Sequence, residues 1–134
     1  MALERESDLL AAARAVRERA HAPYSRFKVG AALLDEQGRI HAGCNVENAA
    51  YPQGLCAEAG AVAAMVAAGG TRIAAAVVVG EGPRLTTPCG GCRQKLREFA
   101  GDDLPVIVAD GQTVRARFTL GELLPASFGP EHLG

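Results

Sequence analysis

Three runs decide how this chain folds. They are Cys56-Ala57-Glu58-Ala59-Gly60-Ala61-Val62-Ala63-Ala64-Met65-Val66-Ala67-Ala68-Gly69-Gly70, Ile73-Ala74-Ala75-Ala76-Val77-Val78-Val79 and Pro88-Cys89-Gly90-Gly91-Cys92. The first is rich in alanine and predicts a helix from Cys56 to about Ala68, stopped by Gly69-Gly70. It is nearly apolar all round, which predicts burial. The small and β-branched run Ile73 to Val79 predicts a central strand covered on both faces. The third run opens a helix expected to reach Phe99, with Cys92, Leu96 and Phe99 on one stripe. A right-handed crossover places two such helix starts at one edge of the sheet. Cys56 is therefore expected to meet Cys89 and Cys92 in space.

On the N-terminal side, Leu9, Ala13, Val16 and Ala20 recur at helical spacing, with Arg14, Arg17 and Glu18 between them. This predicts an amphipathic helix ended by Pro23. A loop, Tyr24-Ser25-Arg26-Phe27, leads to a strand from Val29 to Leu34. Glu36-Gln37-Gly38 turns, and Ile40 to Val46 returns as its hairpin partner. Asn45 and Glu47, two apart, are expected to share a face. On the C-terminal side, Pro105 to Ala109 and Val114 to Phe118 read as strands. Thr119 and Glu122 form a capping box for a brief helix. Phe128 lies in the tail with no obvious place in a core. The whole predicts an α/β fold, a three-layer α/β/α sandwich on a mixed, roughly five-stranded sheet. Residues 1–134 are expected to form a single domain.

Composition narrows the function classes. The chain is 49% apolar and 22% charged, with a formal net charge of −1. That balance gives no general attraction to nucleic acid. No apolar run approaches the roughly 20 residues that span a bilayer, so no membrane partner is expected. The opening Met1 to Glu6 carries mixed charge and lacks a secretory pattern. A cytoplasmic setting is expected, where thiols stay reduced. Four cysteines then read as metal ligands or catalytic groups before disulfides.

Cys89 and Cys92 stand three apart at a helix start, so both thiols share one face. With Cys56 they make three thiolates, one fewer than a closed structural zinc site uses. The open position suits a catalytic Zn²⁺, because a bound water there loses a proton near neutral pH. Glu58, two residues beyond Cys56, is placed to act as general acid and base. Three thiolates leave an excess negative charge. The two helix N-termini offset part of it, and Arg93 is the candidate for charge balance. The bland alternatives are a redox dithiol for Cys89 and Cys92, and a small buried hydrophobe for Cys56. Cys44 takes that buried role. His21, His41 and His132 read as surface residues.

Cys56-Ala57-Glu58 with Thr87-Pro88-Cys89-Gly90-Gly91-Cys92-Arg93-Gln94 resembles the zinc-dependent nucleoside deaminases in their three-cysteine form. The likeness extends through Ala22-Pro23-Tyr24-Ser25-Arg26-Phe27, Val29-Gly30-Ala31-Ala32-Leu33, Gly43-Cys44-Asn45-Val46-Glu47-Asn48-Ala49-Ala50-Tyr51 and Leu123-Leu124-Pro125 with Phe128-Gly129-Pro130. These segments resemble the short, homotetrameric cytidine deaminases over nearly the whole chain.

The resemblance implies hydrolytic deamination of cytidine and deoxycytidine to uridine and deoxyuridine in pyrimidine salvage, with one zinc ion per subunit. An activated water adds at C4, and Glu58 carries its proton to N3 and then to the leaving amino group. By the same resemblance, Asn45 and Glu47 hold the ribose 3′-hydroxyl, and Phe27 lines the base pocket. Ala57 offers its backbone N–H to the base. Phe128 reaches a neighbouring subunit's site. After Cys-Ala-Glu many relatives carry an arginine, whereas this chain has Ala59-Gly60. Three alternatives compete with this reading. They are an aminonucleoside antibiotic deaminase, a deaminase of bases within RNA or DNA, and a zinc or redox module without turnover.

Overall fold

The computed structural model describes residues 3–134. Helix α1 (Glu6–Arg17) buries Leu9, Leu10 and Ala13, and carries acids in its first turn and Arg14 and Arg17 in its last. That charge order complements the helix dipole. The helix was expected to run through Ala20 but ends at Arg17. Its chain continues in tight turns, with Arg19 N–H donating to Val16 O and Ala20 N–H to Arg17 O. The His21 backbone is drawn away instead, donating to Asn45 O at 3.0 Å.

The strands are β1 (Val29–Asp35), β2 (Ile40–Cys44), β3 (Ile73–Gly80), β4 (Pro105–Ala109) and β5 (Val114–Thr119). Among the described residues they form one sheet in the order β2-β1-β3-β4-β5. Only β3 and β4 pair in parallel, Ala76 to Val79 against Val106 to Ala109. The other neighbours are antiparallel. The expected mixed sheet is present.

Strand alternation divides the core into two layers. On one face α1 packs Leu9 and Ala13 against Ala32, Ala75, Val77 and Ile107. On the other, α2 (Ala57–Ala67), α3 (Gly90–Arg97) and α4 (Leu120–Leu123) cover Ala31, Leu33, Ala76 and Val106 with Ala61, Met65, Leu96 and Leu120. This is the predicted α/β/α sandwich. Helix α2 sits very close to β2. A Cβ added at Gly43 would stand 2.3 Å from Ala61 N and 2.5 Å from Ala57 O, so only glycine permits that approach. The capping box at Thr119 and Glu122 forms as expected.

Several local expectations are corrected. Helix α2 is not buried all round: Ala63, Val66 and Ala67 are exposed, because a single sheet face covers one side of a helix. Cys44 is half-buried rather than buried. Helix α3 stops at Arg97, short of Phe99. Strand β2 stops at Cys44 instead of Val46. Asn45 leaves the ladder because its own amide takes backbone partners: Oδ1 accepts from Val29 N–H at 2.8 Å and Nδ2 donates to Phe27 O at 2.9 Å. Val46 pairs only through isolated bridges to His21 and Leu55.

His41 is no surface residue. Its Nε2 lies 2.8 Å from Oδ2 of Asp35, a carboxylate that is 2% exposed. Burial by itself would raise the Asp35 pKa. Hydrogen bonds from His41, from the Arg39 and Gln37 backbone N–H groups and from the Arg39 guanidinium outweigh it and hold the carboxyl well below its usual range. Beside it, Glu36 accepts from the Thr71 and Arg72 backbone N–H groups, which help lower its pKa to about 2. Asp35 braces the hairpin itself, and Glu36 ties its turn to the chain between α2 and β3.

Candidate active site

Helices α2 and α3 both begin beside the carboxyl end of β3. Their N-cap residues are Cys56 and Cys89. One turn into α3, Cys92 points inward and is fully buried. The sulfurs of Cys56, Cys89 and Cys92 all lie within 4.8 Å of one another, with Cys56 Sγ 4.0 Å from Cys89 Sγ. Two thiolates about 2.3 Å from one tetrahedral zinc stand roughly 3.8 Å apart. The set therefore fits a zinc ion, and soft sulfur donors suit that metal. The three sequence-predicted ligands are together, and no fourth His, Cys, Asp or Glu joins them among the described residues.

Electrostatics divide the thiols. The Cys92 backbone N–H lowers the pKa of Cys89. Burial pushes the Cys92 thiol far up, with the Glu58 charge adding to the effect. Burial also raises Cys56. Glu58, in the first turn of α2, is 5% exposed, and burial raises its carboxyl above the ordinary range. A carboxyl so placed stands beside the sulfurs as a candidate to accept and return a proton.

Cys56, Cys89 and Glu58 open on a cavity of about 170 Å³ that Val29, Asn45, Ala57, Thr86 and Thr87 also line, with Cys92 buried behind it. Ala57 contributes the first N–H of α2, which has no acceptor within the helix. The cavity adjoins a larger apolar one of about 640 Å³, which shares Thr86 and includes Phe27 and Leu85. Glu47 lies in a third cavity with Tyr24, Ser25, Asn48 and Tyr51. Asn45 and Glu47 thus line separate cavities, yet both side chains meet the loop 24–29. Glu47 accepts from Tyr24 N–H at 3.0 Å, from Ser25 N–H at 3.1 Å and from the Ser25 hydroxyl.

Arg93 does not turn its donors to the sulfurs. They go to Pro88 O and Leu123 O, each at 2.7 Å, and to Thr87 Oγ1 at 3.2 Å. Its charge sits behind the turn that presents Cys89. Phe128 stands apart from the cysteine cavity. It is 55% exposed, stacks on His132 at 4.7 Å, and its carbonyl accepts from Gln94 of α3. Val29, Thr86 and Thr87 line the site without having been expected there. The sequence signal for them was only that Thr86-Thr87 precedes Pro88-Cys89. Gly80 makes room for Thr86, since a Cβ there would stand 2.5 Å from Thr86 Oγ1.

Comparison with known proteins places this geometry. Residues 3–108 match the family model described as the cytidine and deoxycytidylate deaminase zinc-binding region. A cytidine deaminase of Sporosarcina psychrophila is 41% identical over 125 residues, covering 93% of this chain and 92% of the relative. One from Mycobacterium tuberculosis is 46% identical over 114 residues, covering 85% and 82%. The crystal structure of cytidine deaminase from Burkholderia pseudomallei superposes with a TM-score of 0.84 at 46% identity. It covers 91% of this chain and 98% of its own.

Proposed function

This chain belongs to the cytidine and deoxycytidylate deaminase family, and from that premise we propose how its residues divide the work of hydrolysing the C4 amino group of cytidine and deoxycytidine. The reaction gives uridine or deoxyuridine and ammonia. Cys56, Cys89 and Cys92 would hold the zinc ion, which would supply Lewis-acid activation of the attacking water.

The chain does the rest. Glu58 accepts one proton of the attacking water and delivers it to N3 as the water oxygen bonds to C4. It then takes the remaining proton from that new hydroxyl and gives it to the amino group, which leaves as ammonia as the C4–N bond breaks and the C4 carbonyl forms. Its place in the first turn of α2, lining the same cavity as Cys56 and Cys89, supports both roles. Ala57 N–H orients the base, and Phe27 walls it. Asn45 and Glu47 hold the ribose 3′-hydroxyl. Each has unused capacity for this: Asn45 retains one amide proton, and the Glu47 carboxylate retains a lone pair. Arg93 balances thiolate charge through space from behind Cys89.

The active form is a homotetramer in which Phe128 completes a neighbouring subunit's site. Exposed apolar side chains support this, including Tyr51 at 76%, Phe128 at 55% and the Val66 face of α2. The setting is cytoplasmic pyrimidine salvage, with neither nucleic acid nor membrane as partner.

The observation that carries the reading is a cluster of three sulfurs within 4.8 Å of one another, two of which line one small cavity together with the buried Glu58 carboxylate. The test is turnover of cytidine by the purified protein, read as ammonia release and as the absorbance change to uridine. Activity should vanish with a chelator and return with zinc. A zinc-loaded protein that releases no ammonia contradicts the reading.

A further inference from the structure

We propose that Ser25 is a positioning residue that sets the Glu47 carboxylate and the Phe27 wall as one unit. The inference rests on the reading of Glu47 as the ligand of the ribose 3′-hydroxyl.

The Ser25 hydroxyl is used twice. It donates its proton to Glu47 Oε2 and accepts from the Phe27 backbone N–H at 3.0 Å. The Ser25 and Tyr24 backbone N–H groups donate to the other carboxylate oxygen, at 3.1 and 3.0 Å. An ionised carboxylate offers about four acceptor positions. Three are taken by this loop, so the last is fixed in direction before any sugar arrives. That is preorganisation of a single hydroxyl-binding position.

The loop is held in a conformation it would not adopt alone. Arg26, between Ser25 and Phe27, has φ of 60°, a left-handed backbone uncommon outside glycine. This twist is what turns the Phe27 N–H back onto Ser25 Oγ. Arg26 N–H on Ala22 O at 3.0 Å and Asn45 Nδ2 on Phe27 O at 2.9 Å complete the restraint. A hydroxyl at position 25 therefore couples the sugar end of the pocket to its aromatic wall. Threonine keeps both hydrogen bonds, whereas alanine keeps neither.

The experiment measures kcat and KM for cytidine and 3′-deoxycytidine in the wild type, Ser25→Ala, Ser25→Thr and Glu47→Gln. Ser25→Ala should raise the cytidine KM about tenfold with little change in kcat, as expected for one lost hydrogen bond to a charged group. The preference for cytidine over 3′-deoxycytidine should shrink by a similar factor. Ser25→Thr should restore it. A role in folding alone would raise both KM values together and leave the preference intact.

If Glu47→Gln loses the preference while Ser25→Ala keeps it, the inference is overturned and the reading of Glu47 survives. If Glu47→Gln keeps the preference, both fall. Should Ser25→Ala not fold, Ser25→Cys carries the same comparison, because a thiol donates and accepts weakly.

Discussion

Cys56 Sγ and Cys89 Sγ stand 4.0 Å apart although 33 positions separate them in the chain. The topology explains the meeting. Helix α2 leads into β3, and α3 leaves the end of β3 on the same face of the sheet. Each helix presents its N-cap cysteine where the first backbone N–H groups are unpaired and the dipole favours negative charge. Two thiols are thus held near each other, with the Cys92 backbone N–H lowering the pKa of Cys89 while burial raises that of Cys56.

Glu58 is the group whose loss should separate binding from turnover. Glu58→Gln keeps the volume and removes proton transfer. Zinc content should stay near the wild-type value while kcat falls by about 10²–10⁴, the usual scale for a lost general acid and base. Elemental analysis and initial rates on the same preparation check this. A variant within a few-fold of wild-type kcat would take Glu58 out of the mechanism.

Much of this was legible in the chain itself. Periodicity is local, so α2, β3 and α3 could be read from Cys56 to Phe99 with errors of a residue or two at their ends. Features set by pairing register were not. His41 reaches Asp35 only because β1 and β2 pair Leu33 with His41, and no spacing rule announces that. The end of β2 depended on the Asn45 amide competing with the ladder. The direction of Arg93 depended on where Leu123 folds back. Phe27 in its loop and Phe128 in the tail were conspicuous as aromatics outside the periodic segments, and both are exposed in the chain.

Arg93 supports the turn before Cys89 through Pro88 O and Thr87 Oγ1. Arg93→Ala should lower zinc affinity about tenfold, the scale for residues that orient metal ligands. Arg93→Lys keeps the charge without the planar fork and should recover only part of the loss. Competition with a chromogenic chelator measures both. Unchanged zinc retention and kcat in Arg93→Ala would remove it from the site.

Gly43 sets the distance between β2 and α2. A methyl group there meets backbone at 2.3 and 2.5 Å, so the helix must move. Gly43→Ala should destabilise the fold by roughly 1–3 kcal/mol and displace Cys56 and Glu58 together. Denaturant unfolding should show the loss, and the zinc content of the folded fraction should fall with it. Wild-type stability and zinc content would contradict the tight packing.

Asp35 makes stability depend on acid. Its folded-state pKa is depressed by His41, Arg39 and backbone N–H groups. Its contribution is therefore present above the unfolded carboxylate value of about 3.9 and is lost as pH falls below it. Asp35→Asn should lower Tm by an amount on the order of 5–10 °C at pH 7. The difference from wild type should narrow steadily below about pH 4. Parallel Tm curves for the two proteins from pH 7 to pH 3 would contradict the assignment.

The most direct test of the whole account is zinc stoichiometry, measured by elemental analysis of the purified chain and of Cys56→Ala, Cys89→Ala and Cys92→Ala. The predicted result is one zinc per chain in the wild type, falling in every variant to below roughly one tenth of that value. Full zinc retention in Cys56→Ala would mean that the Cys89 and Cys92 pair binds metal without α2, and the three-sulfur centre would be contradicted.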